Sequence, residues 1–487
     1  MYLLYSILLC LGVAALLPRF LFDAARHGKY AAGLSERAGT LPSFDAGGRP
    51  VVWLHCVSVG ETQAARPLAR AILEEYPGHA LVVSTTTLTG QRVAREAFAG
   101  TAALVFYFPF DWAWSVRRAL RAIKPSAVLV LETELWPRFF RECRRAGVRV
   151  ALVNGRISEN SFRRYKLVKF FIRRVVQDLS LAAMQAEADA ARIKSLGVSP
   201  ERVRVTGNIK FDIEDAGGQT LTGELRSRFR LDGARPLIVA ASTHATEERT
   251  ILEAFKVLTD DFKLSSDDKP LNGGVRASND GARRTRPRLL IAPRHPERFD
   301  EVAALVAASG FGWARRSAEA SAPDGKCEVI LLDSIGELRA VYPLADVVFV
   351  GGSLAPVGGH NVLEPALAAR AVITGAHTSN FKDIVAKFLE HDALVQLPLV
   401  EGAEAARTLA RALGELLEDD ARRRRTGERA RAVLERNRGA TARTVKLLAP
   451  LLEQRSEVGG QRSVKNILPV DLQPSSSNNY RPPTSDL

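Results

Sequence analysis

From residue 51 onward the chain alternates short apolar runs with stretches whose apolar residues recur at helical spacing. The runs VVWLH (51–55), ALVVST (80–85), AALVFYF (102–108), AVLVLE (127–132) and VRVALVN (148–154) read as strands, with helices such as 61–75 and 138–146 between them. After the Gly/Asp-rich stretch DIEDAGGQT (212–220) the alternation resumes with PLIVAAS (236–242), PRLLIAP (287–293), CEVILLD (327–333), DVVFVGG (346–352) and RAVITG (370–375). Strands that are apolar at successive positions are buried on both faces, which requires helices above and below a parallel sheet. The fold class is therefore α/β, with two Rossmann-like domains, 23–211 and 212–454, facing a cleft. Open sheets of this kind bind ligands outside the carboxyl ends of their strands, so the informative residues lie in the loops just after them.

The ends break the pattern. Residues 1–18, MYLLYSILLCLGVAALLP, carry no charge, and Arg19, Arg26 and Lys29 follow. As a helix they reach ~27 Å, close to the roughly 30 Å hydrocarbon core, so 1–22 is expected to be a hydrophobic membrane anchor. An interfacial helix and a cleaved signal are the alternatives; the basic residues come after the apolar run, opposite to the order of a signal peptide. With basic residues flanking the segment, the bulk of the chain is expected on the cytoplasmic side of the membrane. The stretch 265–286 reads as a disordered insertion and 455–487 as a disordered tail, both polar and without apolar periodicity.

Composition narrows the chemistry. Across 487 residues, 68 Lys and Arg against 54 Asp and Glu give a net charge of +14, which points to an anionic partner: nucleic acid, a phospholipid surface or a phosphorylated substrate. Cys10, Cys56, Cys143 and Cys327 lie far apart with no C-x-x-C, and no H-E-x-x-H occurs, so no protein-bound metal is expected. There is no G-x-x-x-x-G-K-[ST], no G-x-G-x-x-G after the first strand, and no D-x-D to hold a metal on a nucleotide diphosphate.

Candidate residues follow the strands. Glu61, in HCVSVGE after the first strand, falls in the first turn of a helix; it suits a general base, though the helix dipole favours a carboxylate there whatever its role. Glu132 ends the fourth strand in LETELWP beside Glu134, where burial demands a partner: a substrate, or a nearby arginine. Between 138 and 174, Lys and Arg interleave with Phe and Tyr. That suits a phospholipid surface, phosphate groups or single-stranded nucleic acid, and equally a solvated helix. Lys210, in VRVTGNIKFD between the domains, is either solvated or set to neutralise an anion. In the second domain Ser242, Thr243 and His244, then Arg294 and His295, follow strands. FVGGSLAPVGGHNVLEPA (349–366) pairs glycines with His360, Asn361 and Glu364 at a helix start, chemistry suited to a phosphate and a ribose. Together these residues indicate a nucleotide-using, metal-free transferase at a membrane.

The ordered motifs HCVSVGE, ETELWP, NGRIS, GNIKFD, STH, PRHPERF and GGSLAPVGGHNVLEPA resemble those of the 3-deoxy-D-manno-octulosonic acid (Kdo) transferases of lipopolysaccharide assembly, over residues 1–453. The resemblance implies a GT-B glycosyltransferase moving Kdo, with inversion, from CMP-Kdo to a lipid A precursor of lipid IVA type, without cofactor or metal. The first domain would then bind the acceptor and the second CMP-Kdo. Glu61 matches the family's catalytic base, and Glu132 and Lys210 its transition-state stabilisers. Pro293 and Arg294; Ile335, Gly336 and Glu337; and Asn361, Val362, Leu363 and Glu364 match its donor-binding segments. Val362 stands where many members have proline. Under this reading the partners are CMP-Kdo, the lipid acceptor and the phospholipid surface, with no nucleic acid. A GT-B transferase using a UDP-sugar, or a membrane-associated RNA-binding protein, are the competing readings.

Overall fold

The computed structural model describes residues 1–27, 33–213, 218–266 and 285–453. The insertion expected at 265–286 lies, over 267–284, outside the described residues, as does the tail expected at 455–487. Strands β1 (Val51–His55), β2 (Ala80–Thr85), β3 (Leu104–Tyr107), β4 (Pro125–Leu131), β5 (Arg149–Gly155), β6 (Leu181–Met184) and β7 (Val203–Val205) form one sheet in the order β3-β2-β1-β4-β5-β6-β7. Strands β8 (Leu237–Thr243), β9 (Arg288–Pro293), β10 (Trp313–Arg315), β11 (Val329–Leu331), β12 (Val347–Val350), β13 (Ala371–Thr374) and β14 (Val395–Gln396) form a second, in the order β10-β11-β9-β8-β12-β13-β14. Every pairing is parallel.

Each apolar run read from the sequence carries a strand, and β1 and β2 keep the same limits. Four strands escaped that reading. β7, β10 and β14 are edge strands of two or three residues, and β6, LAAM, has no β-branched residue to mark it. Alternation along β1 sends Val51 and Trp53 into one buried layer and Val52 and Leu54 into the other, so helices are needed on both faces. The second sheet is likewise covered on both sides.

The last helix, Ala440–Leu452, was counted with the second domain from sequence but packs on the first sheet, where Val445, Leu448, Leu451 and Leu452 join Val52 and Leu54. Asp212, at the first crossing between domains, accepts the N–H of Gly439 (2.6 Å) and that of Thr441, where the chain crosses back. Arg443 donates to the Thr206 carbonyl at 2.9 Å beside it. One carboxylate thus ties both crossovers.

The N-terminus forms a helix, Tyr2–His27, but among the described residues no helix is long and apolar enough to cross a membrane. The membrane-spanning anchor expected over 1–22 is therefore not supported. The helix is fastened sideways to the first domain: Tyr2 donates to Asp178 (3.0 Å), Tyr5 donates to Asp111 (2.8 Å), and Arg138 donates to the Ser6 hydroxyl and the Tyr2 carbonyl (2.8 Å each). Tyr2 and Tyr5 also pack on Phe171. Leu3, Leu4, Leu8 and Leu11 remain exposed.

Replacing the Asp212 acceptor (Asp212→Ala) is expected to cost about 1–2 kcal/mol in urea unfolding and to speed amide exchange in 440–452. An unchanged midpoint with unchanged exchange would show that the crossover does not depend on this carboxylate.

Candidate active site

In each sheet the strand order reverses once, and a crevice opens at the carboxyl ends of the two strands where it does. In the first sheet those strands are β1 and β4, so the loops carrying Glu61 and Glu132 meet. In the second they are β8 and β12, which brings together the loops of His244 and of the paired glycines. Arg156, just after β5, pairs with Asp383 after β13 at 2.5 Å and links the two rims.

Glu61 sits in the first turn of the helix Val59–Glu75, which Ser58 caps by accepting the Glu61 N–H at 3.3 Å. The Glu61 side chain folds back, accepting from the Val57 N–H and from the Ser58 hydroxyl, each at 2.8 Å. The carboxylate is turned into the protein, reaching back past the cap to Val57, and is 7% exposed. Burial pushes the Glu61 carboxyl up to about 7, and the nearby charges of Glu132 and Glu134 add to the rise. The hydrogen bonds from Val57 and Ser58 favour the ionised form but do not cancel the effect.

Glu132 accepts from the Lys210 ammonium at 2.8 Å, so the partner that the sequence demanded is a lysine from the domain crossover and not an arginine. Its backbone has φ 51°, a left-handed conformation that costs a non-glycine residue of order 1 kcal/mol and aims the side chain away from the strand direction. Lys210 is placed by a short 3-10 turn: its N–H donates to Asn208, and the preceding Ile209 N–H donates to Asn154 at 3.1 Å. Glu134 is raised by burial and by Glu132. Three carboxylates and one lysine thus share the first crevice.

On the second rim, Pro293 is buried at the end of β9, while Arg294 is exposed with its N–H on the Thr243 carbonyl at 2.9 Å. Gly336 has φ 85°, and Ile335 before it is 80% exposed. Glu337 accepts from Arg316 (2.8 and 3.1 Å) and from Ser334 (2.9 Å). Asn361 accepts the Leu363 N–H at 3.0 Å and shapes the helix start. Val362 and Leu363 are each 1% exposed in the hydrophobic core, so only their backbones can meet a ligand. Val362 has φ −81° and ψ −10°, close to what proline would impose. Glu364 accepts from Arg339 at 2.9 Å, which joins the 335–337 and 361–364 segments. The pair lines a cavity of about 570 Å³ that also holds Arg226 and Arg431.

Sequence reasoning missed Glu247. Its buried carboxylate accepts backbone N–H groups from His244 (2.9 Å), Gly352 (2.7 Å), Ser353 (3.0 Å), Leu354 (2.9 Å) and Ala355 (3.3 Å). Its neighbour Glu248 accepts from Thr243 at 2.9 Å and from Arg298 at 2.6 Å, tying STHATEE to PRHPERF. The available signal was two consecutive glutamates opening a helix directly after a strand-end loop. Among the described residues no group of three His, Cys, Asp or Glu side chains is arranged to hold a metal.

Residues 32–213 match the family described as 3-deoxy-D-manno-octulosonic-acid transferase (kdotransferase). The chain is 34% identical to 3-deoxy-D-manno-octulosonic acid transferase from Haemophilus influenzae, over 88% of this chain and 93% of that one. It is 36% identical to the enzyme of the same name from Bordetella pertussis, over 82% and 86%. A glycosyltransferase from Rickettsia africae superimposes with a TM-score of 0.51 over 84% of this chain and 100% of its own, at 11% identity, a likeness of fold. The two parallel-sheet domains are those of a GT-B glycosyltransferase fold, and by its sequence relatives this chain belongs to the 3-deoxy-D-manno-octulosonic acid transferase family.

Proposed function

We propose that the protein transfers Kdo from CMP-Kdo to a lipid A precursor of lipid IVA type, inverting the anomeric centre, at the cytoplasmic face of the inner membrane in lipopolysaccharide core assembly. The observation that carries the reading is Glu61: a buried carboxyl raised to about 7 at the crevice of the first sheet. A general base works best when its pKa lies near the working pH, and an acceptor sugar hydroxyl needs one. Glu61 takes that proton as the acceptor oxygen attacks the anomeric carbon and CMP departs with the bonding electrons. The acidic sugar and its phosphate bring negative charge that Lys210 and Arg294 stabilise, with no metal in the reaction. Glu132 holds Lys210 at 2.8 Å, ready for that charge.

The acceptor's acyl chains give the exposed apolar surface a use. Leu167, Val168 and Phe170 are exposed beside the basic residues Lys166, Lys169 and Arg174, and Tyr2 and Tyr5 join the N-terminal helix to the adjoining Phe171. An apolar face rimmed by cations suits an anionic phospholipid surface.

Mass spectrometry of the product from CMP-Kdo and a tetraacylated disaccharide acceptor tests the reaction; transfer from a UDP-sugar and none from CMP-Kdo would overturn it. Glu61→Gln is expected to lower turnover by at least ~10²-fold while CMP-Kdo binding persists, and near-normal turnover would remove Glu61 as the base. Because Glu61 is active as the carboxylate and its pKa is raised, kcat/KM should rise with pH through about 7. Neutralising its neighbour (Glu132→Gln) should move that limb to lower pH whatever it does to kcat; an unmoved limb would mean that another group titrates. Phe170→Glu with Leu167→Glu is expected to weaken sedimentation with anionic vesicles, and equal sedimentation would place the membrane surface elsewhere.

A further inference from the structure

His244, His295 and His360 come from three separate strand-end loops, and none of them has a role in the reaction as written above. His244 and His360 face each other with their Nε2 atoms 2.7 Å apart and their rings nearly parallel, 7° between planes with centroids 4.9 Å apart. At that distance one Nε2 carries a hydrogen and the other offers its lone pair, so the two rings hold opposite tautomers and share one proton. A further proton can go to the Nδ1 of the donating ring, which leaves the Nε2–H···Nε2 bond in place and charges the pair. The glycine loop makes this approach possible: Gly352 has φ 67°, and a Cβ there would lie 2.8 Å from His360.

Around the pair the nearby charge is mainly positive, with Glu248 opposing it at His244. Arg294 and His295 approach from the loop after β9, with His295 edge-on to His244 at 5.0 Å. The nearby acids are engaged elsewhere. Glu247 is taken up by backbone N–H groups, Glu248 pairs with Arg298, and Glu297 lies on the far, exposed side of His295 at 3.7 Å. Burial first, and then the neighbours His244, Arg294 and His295, lower His360 to about 4; His244 is lowered by burial and then by His295. Both rings are therefore neutral at pH 7, and an arriving anion would reverse the balance.

We propose that the His244–His360 pair seats the phosphate of the donor nucleotide and takes up one proton as that phosphate gains its second negative charge. This rests on the CMP-Kdo reading above. In the reaction the acceptor oxygen bonds to the anomeric carbon, and the bond from that carbon to the phosphate oxygen breaks. CMP leaves as a dianionic monoester holding the electron pair, and the acceptor's proton goes to Glu61. The proton gained by the pair comes from solvent and returns there when CMP dissociates. Placement at the reversal between β8 and β12, where open α/β sheets bind nucleotides, favours phosphate over the sugar's carboxylate as the anion.

Titration calorimetry of the whole protein at pH 8, in two buffers of different ionisation enthalpy, reads the proton directly. At that pH free CMP is dianionic, its second pKa being about 6. CMP is expected to bind with uptake of roughly one proton, and cytidine with none. His360→Gln and His244→Asn should each abolish the uptake and weaken CMP about tenfold, with thermal midpoints reporting that they fold. CMP binding without proton uptake in the wild type, a measurement that needs no variant, would overturn the pair's role and leave the donor reading standing. Uptake that survives in both variants would do the same. Uptake on binding free Kdo and not CMP would reassign the anion to the sugar carboxylate and overturn the proposal. Failure of the wild type to bind CMP at all would instead overturn the donor reading on which it rests.

Discussion

Five backbone N–H groups from two loops converge on the carboxylate of Glu247, buried at the rim of the second sheet. The constraint behind this contact governs the whole molecule. A parallel strand ends in a loop whose amide groups have left the sheet's ladder, and buried N–H groups must find acceptors. Here acidic side chains supply them. Asp189 accepts the Ile157 N–H, Asp111 the N–H groups of Arg138 and Phe139, and Asp212 those of Gly439 and Thr441. The amides of 352–355 in the glycine loop are held from behind by Glu247.

The two crevices differ in electrostatic character, and the difference matches the division of labour in a two-substrate reaction. The first holds Glu61, Glu132 and Glu134 with one lysine, so a carboxyl there is pushed towards neutrality. The second gathers arginine and histidine whose neighbouring acids are engaged elsewhere. Lys210 belongs to the crossover between domains yet reaches into the first crevice. Relative motion of the domains would therefore alter the environment of Glu132 directly.

Much of this was legible in the chain. The apolar runs located ten strands, because a strand buried on both faces cannot hide its composition. The loops after them held the candidate residues, and Glu61 was recognisable from a helix start with a glycine before it. Less visible were contributions that depend on distant partners. Glu247 looks like any acid in a first helical turn until the 351–355 loop is brought against it. The N-terminal run reads as a membrane span by hydropathy alone, since nothing in its composition reveals that Tyr2 and Tyr5 will bond to Asp178 and Asp111, more than a hundred residues away.

By itself, then, the sequence determined where ten of the fourteen described strands lie, which loops follow them and which sign of charge to expect of a partner. These are properties of periodicity and residue type within a short window. Only the tertiary structure decided the order of the strands, and strand order decides which loops become neighbours. That β1 lies beside β4, and β8 beside β12, is what sets Glu61 near Glu132 and His244 against His360. Strand order is set by how the helices of each layer pack across both faces, a property of the assembled core that no local pattern encodes.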